Sequence, residues 1–144
     1  MVSILIVTHG EFGAYVLDAA EEIVGRDPKQ SIAALKISGR IPLIEVRQKI
    51  TDSINQFLQE SEGAGVLVVC DMLGGTPCNE VLLACRNYPN VEVLAGVNLY
   101  MVVSAMLNAR RLSLARLVEK VLEDSKRSIT NAKALFYARQ KNNA

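Results

Sequence analysis

The sequence has almost no net charge, no long apolar run, a single histidine and only three cysteines. Its 16 Lys and Arg nearly cancel its 15 Asp and Glu, leaving a formal charge of +1. Nucleic-acid binding is therefore not indicated, because such surfaces carry a marked basic excess. The imbalance is local: residues 1–109 hold 7 basic and 12 acidic side chains, and residues 110–144 hold 9 and 3. A solvated helix face accounts for the basic end, with partner docking as the other reading. No apolar stretch approaches the ~20 residues of a membrane helix, and Met1–Val7 lacks a basic flank or a cleavage site. A cytoplasmic chain is expected. Cys70, Cys78 and Cys85 are odd in number and contain no CxxC, which argues against a disulfide framework or a zinc cluster. They read as reduced, small apolar residues.

What is present is an alternation of two periods. At 144 residues and 50% hydrophobic, the chain suits one domain, residues 1–144, able to bury about 68–70% of its unfolded surface. Val2–Val7, Ser31–Ile37, Gly65–Cys70 and Val91–Ala95 are short, continuous apolar runs, the pattern of strands buried on both faces. Between them, Phe12, Tyr15, Val16, Ala19, Ala20, Ile23 and Val24 recur at helical spacing, as do Leu43, Val46, Ile50, Ile54, Phe57 and Leu58. Thr76 and Pro77 suit the N-cap and first position of a third helix. A short apolar helix is predicted through Met101–Leu107, and a last one with Ser113 as its cap. Ile129–Tyr137 is compatible with a continued helix or an added strand. Strands alternating with helices predict a single doubly wound α/β fold with a mainly parallel sheet and helices on both faces.

In such sheets ligands bind beyond the carboxyl ends of the strands. Those ends deliver Thr8, His9 and Gly10, then Asp71 and the loop to Pro77, then Gly96, Val97 and Asn98. A lone histidine is more often a packed or capping residue than a catalyst. At a strand end beside a glycine, however, its ring meets the crevice, and a neutral imidazole nitrogen is a competent nucleophile. Asp71 can hold the proton on the other nitrogen, although a turn aspartate is an equally good account of it taken alone. Gly74, Gly75 and Thr76 lead into a helix N-terminus, where bare N–H groups and a hydroxyl suit a phosphate. Thr8, Gly10 and Asn98 are candidates to line the site. No Walker lysine, GxGxxG or GxSxG is present, so nucleotide hydrolysis, dinucleotide binding and serine hydrolysis fit poorly. His9 and Asp71 lack an obvious third ligand, so no metal is expected, nor any cofactor. A histidine that carries a phosphoryl group is the simplest combined reading.

THG at Thr8–Gly10, D-x-x-GG-T-P at Asp71–Pro77 followed by Asn79, and GVN at Gly96–Asn98 together resemble one family. It is the enzyme IIA component of the mannose family (mannose, fructose, sorbose) of the bacterial phosphoenolpyruvate-dependent sugar phosphotransferase system (PTS). The resemblance spans roughly the first 110 residues. It implies that His9 is the phosphorylated residue, that Asp71 holds its ring, and that Thr76 with the third helix N-terminus receives the phosphoryl oxygens. Implied partners are the carrier HPr as donor, enzyme IIB as acceptor and, indirectly, the IIC/IID membrane permease, whose complex would recruit the chain to the inner membrane face. A homodimer and an extra antiparallel strand near the C-terminus are also implied. The chain departs at Tyr100, where the family often has proline, and in the tail from Ser125, which lacks a clear strand pattern. Two alternatives stand beside sugar uptake: phosphoryl donation to a dihydroxyacetone kinase, and a regulatory module switched by phosphorylation of His9.

Overall fold

Every apolar run becomes a strand of one sheet. The computed structural model describes residues 1–142, in the order β1 (Ser3–His9), α1 (Phe12–Val24), β2 (Ile32–Ile37), α2 (Leu43–Glu60), β3 (Val66–Cys70), α3 (Thr76–Ala84), β4 (Val91–Ala95), α4 (Leu99–Asn108), α5 (Leu114–Arg127) and α6 (Ala132–Asn142). The strand order is β2-β1-β3-β4, with every pair parallel. The expected α/β class is the one observed.

Alternation along each strand divides the core in two. Ile4 and Ile6 of β1, with Leu67 and Val69 of β3, pack with Ala20, Val102, Ala105, Leu117 and Val121 from α1, α4 and α5. Leu5, Val7, Val66, Val68 and Cys70 face the other way, onto Val46, Ile50, Ile54, Phe57, Cys78 and Val81 from α2 and α3. Both faces being covered is why these strands read as unbroken apolar runs. Full burial of a side chain such as Ile4 or Ile50 contributes about 1.5–3 kcal/mol. Strand order reverses about β1, since β2 lies to one side and β3 with β4 to the other. In open parallel sheets such a reversal is where ligands bind, here at the carboxyl ends of β1 and β3.

Three expectations change. Phe12, Tyr15 and Ile23 of the first apolar stripe are 46%, 69% and 61% exposed, because the stripe is wider than the sheet and α4 cover. The extra antiparallel strand is not found among the described residues. Instead Ile129–Tyr137 neither extends α5, which stops at Arg127, nor joins the sheet. It enters the separate helix α6, started by Asn131, whose Oδ1 accepts the Ala134 N–H at 3.0 Å. Alanines at 132, 134 and 138 favour that helix. Finally, Ser113 stands at the N-cap of α5 but makes no side-chain cap bond. Among the described residues no helix is long and apolar enough to cross a membrane.

Candidate functional site

β1 is buried from Ser3 through Thr8 and emerges into solvent at His9. Parallel register sets Val7 beside Cys70 and His9 beside Ile37, so the residue that follows Cys70 lies against the end of β1. That residue is Asp71. Its Oδ2 accepts the His9 backbone N–H at 2.8 Å and lies 2.6 Å from His9 Nδ1, while Oδ1 accepts the Met72 N–H at 2.9 Å. A carboxylate oxygen this close to Nδ1 holds a proton there, which leaves the lone pair on Nε2. The Asp71 side chain is 13% exposed and that of His9 52%. The carboxylate is thus sheltered and the imidazole ring open.

Burial by itself would raise the Asp71 carboxyl. The His9 backbone N–H, the His9 ring and the Met72 N–H outweigh it and hold the group below the ordinary carboxylate value. Burial pushes the Cys70 thiol up, which leaves it the un-ionised, inert residue expected from sequence.

The loop after Asp71 turns sharply. Gly75 donates its N–H to the Met72 carbonyl at 3.3 Å, and Gly74 has φ +86°, a conformation that favours glycine. At Gly75 a Cβ would lie 3.0 Å from His9 Cε1 and 3.0 Å from Met72 Cγ. The absent side chain is therefore the space in which the His9 ring sits. The α3 N-cap is Gly75 rather than Thr76. Thr76 is the first helical residue, exposed, because Pro77 is favoured just inside the start and a glycine with extended φ/ψ precedes it. The Thr76 and Cys78 N–H groups belong to the first turn, which has no side-chain cap and no intrahelical acceptor for them.

Two of the proposed lining residues have other work. Thr8 is buried, and its Oγ1 accepts the Gly13 N–H at 2.8 Å, tying the start of α1 to β1. Asn98 is the N-cap of α4, its Oδ1 accepting the Met101 N–H at 2.9 Å. Gly10, at φ +53°, carries the chain away from His9. The structure thus brings His9, Asp71, Gly75 and the α3 N-terminus together.

A family profile described as the PTS system fructose IIA component, EIIA-man, matches residues 3–122. The chain belongs to the EIIA-man family. It is 27% identical, over 90% of its length and 96% of the relative's, to a PTS system sorbose-specific EIIA component of Lacticaseibacillus casei. The structure of a phosphotransferase system component EIIA from Streptococcus agalactiae has a TM-score of 0.81 and 28% identity, covering 93% of this chain and 99% of the other. A PTS IIA protein associated with the fucose utilization operon of Streptococcus pneumoniae shares the fold, with a TM-score of 0.78 at 23% identity over 94% and 99% of the two chains. EIIA-man proteins are phosphocarriers of the phosphotransferase class.

One contact between α2 and α3 in this EIIA-man chain escaped the sequence reading. Arg47 of α2 donates from Nε to Glu80 Oε2 of α3 at 2.8 Å, with the Glu80 side chain only 6% exposed. The two residues are 33 apart in sequence. A glutamate on the otherwise apolar inner side of α3 was the available signal.

Proposed function

We propose that this protein, acting as a single IIA unit over residues 1–144, accepts a phosphoryl group from phospho-HPr on His9 Nε2 and passes it to a histidine of enzyme IIB. The carrying observation is the 2.6 Å contact of Asp71 with Nδ1, which in the neutral ring assigns the proton to Nδ1 and the lone pair to Nε2, on an open surface. In the transfer the Nε2 lone pair forms a new N–P bond as the donor's N–P bond breaks, and that electron pair returns to the donor imidazole. The proton on Nδ1 stays in place, and Asp71 stabilises the positive charge that develops on the ring. The first turn of α3, with the Thr76 hydroxyl, receives the phosphoryl oxygens. Because phosphoryl transfer needs positioning and electrostatics more than covalent help from the protein, this small set suffices.

A protein donor suits the surroundings. Met72 and Leu73 are 57% and 76% exposed beside the site, which favours an apolar partner surface over a closed small-molecule pocket. On this reading the protein works in the cytoplasm, alongside the IIC/IID permease. A homodimer belongs to the same proposal, supported by the apolar cavity of about 300 Å³ between α1 and α4 that Ile23, Leu99, Tyr100 and Val103 line.

Incubation with phosphoenolpyruvate, enzyme I and HPr, followed by mass spectrometry, tests the reading. Wild type should gain one acid-labile, alkali-stable phosphate that enzyme IIB then removes, and His9→Ala should gain none. Label retained by the alanine variant overturns the assignment of His9, and label that IIB cannot remove overturns the onward step.

A further inference from the structure

We infer that Asn79 is a positioning residue for phosphoryl transfer, clamping the peptide between Gly74 and Gly75 so that it cannot turn a carbonyl oxygen toward His9. Asn79 lies on α3, exposed, and its bonds go to the backbone of the loop rather than to the His9 or Asp71 side chains. Its Nδ2 donates to the Gly74 carbonyl at 3.2 Å, and its backbone N–H donates to the Gly75 carbonyl at 2.9 Å. One residue thus holds two successive carbonyls of the loop. Only the NH2 end of the amide can face a carbonyl oxygen, so its orientation follows from chemistry.

In a trans peptide the C=O and the following N–H point in opposite directions. Drawing the Gly75 carbonyl into α3 therefore turns the Thr76 N–H outward from the helix start. Drawing the Gly74 carbonyl to Asn79 turns the Gly75 N–H the other way, where it meets Met72 O at 3.3 Å. The second peptide is the vulnerable one. Glycine flanks it on both sides, so rotation meets little steric resistance. The space a Cβ of Gly75 would fill reaches within 3.0 Å of His9 Cε1. A rotated Gly74 carbonyl would bring a partial negative charge to the edge of the site, where an anion must settle. The ordinary helix bond from Asn79 N holds Gly75 O whatever the side chain is. The bond from Nδ2 is the one that depends on asparagine.

The inference rests on the proposed phosphorylation of His9, and three proteins separate the two. Wild type, Asn79→Ala and Asn79→Asp are compared by rapid-quench transfer from phospho-HPr, by melting, and by residual dipolar couplings of the Gly75 and Thr76 N–H in the unphosphorylated state. Asn79→Asp keeps the shape and loses the donor but adds a negative charge, so Asn79→Ala carries the rate comparison and Asn79→Asp the one of N–H orientation. Both variants should melt close to wild type and show an altered Gly75 N–H orientation, and Asn79→Ala should transfer roughly tenfold more slowly at saturating donor with little change in KM. Phosphorylated wild type should show shifted Thr76 and Cys78 amide resonances, and the variants smaller shifts. Variants with wild-type couplings, or with altered couplings and an unchanged rate, overturn the inference while leaving the role of His9 intact. Wild type that takes no phosphate overturns the proposed function, and the positioning role with it.

Discussion

Asp71 Oδ2 accepts two hydrogen bonds from one residue, the backbone N–H of His9 at 2.8 Å and its ring Nδ1–H at 2.6 Å. The first contact joins the carboxylate to the end of β1 independently of the ring, and the second sets the tautomer. Orientation of the imidazole is thereby built into the junction of β1 and β3 instead of depending on a mobile side chain. The Met72 N–H on Oδ1 completes the restraint.

Asp71→Asn should fold and transfer phosphate slowly, by a factor on the order of 10² or more, because an amide can hold the ring but cannot stabilise imidazolium charge and can select the wrong tautomer. Rapid-quench transfer from phospho-HPr checks this. A variant as fast as wild type would return Asp71 to the status of a turn residue.

The same substitution has a signature in pH. The Asp71 carboxyl is held low in the folded protein, so its contribution to stability is fully present above the unfolded value of about 3.9 and is lost as pH falls through the lower folded value. Denaturation of wild type and Asp71→Asn between neutral pH and pH 3 should show a constant difference down to about pH 4–5 and a shrinking one below. A difference that grows on acidification would contradict the direction of the shift.

Thr76→Ala separates capping from chemistry. Gly75 is the N-cap and no side-chain cap bond is made, so stability should change by no more than ~0.5 kcal/mol. If the hydroxyl donates to the arriving phosphoryl group, the transfer rate should fall by about tenfold or more, and Thr76→Ser should restore it. An alanine variant with an unchanged rate removes Thr76 from the mechanism.

Behind the site, Arg47 and Glu80 should respond unequally to truncation. The Glu80 side chain is 6% exposed and that of Arg47 40%. Arg47→Ala leaves a carboxylate buried without its partner and should cost about 2–4 kcal/mol, whereas Glu80→Ala leaves a cation that can turn to water and should cost less. Urea denaturation of both variants measures the difference. Equal costs would mean that Glu80 finds another donor or water.

Self-association should depend on Tyr100, 61% exposed on α4 at the rim of the apolar cavity shared with α1. Wild type should sediment at micromolar concentration at twice the 15.7 kDa chain mass, and Tyr100→Glu should move toward the single-chain mass because a charge would be buried in the contact. Wild type that sediments as a single chain removes the homodimer and leaves the chemistry as argued.

Order along the chain was legible from residues close in sequence. Val2–Val7 is apolar at every position because helices cover both sides of β1, and the stripe Val46, Ile50, Ile54, Phe57 is spaced for one helix face. His9, Asp71 and the Gly74–Thr76 loop stand at strand ends for the same local reason: each lies within a few residues of the end of an apolar run. Other features came from contacts that no short window contains. Thr8 was a candidate to line the site beside His9, yet the pleat sends Thr8 inward to bond Gly13 and leaves His9 open to solvent. The cap moved from Thr76 to Gly75 because Pro77 and the turn at Gly74 set where helical geometry can begin. Arg47 meets Glu80 only when α2 and α3 pack on the same face of the sheet. Above all, Asp71 reaches His9 across 62 residues because β3, rather than β2 alone, pairs with β1. Periodicity records which side of an element is buried, but which strands lie side by side is decided by the packing of whole elements, and that choice brought the carboxylate to the imidazole.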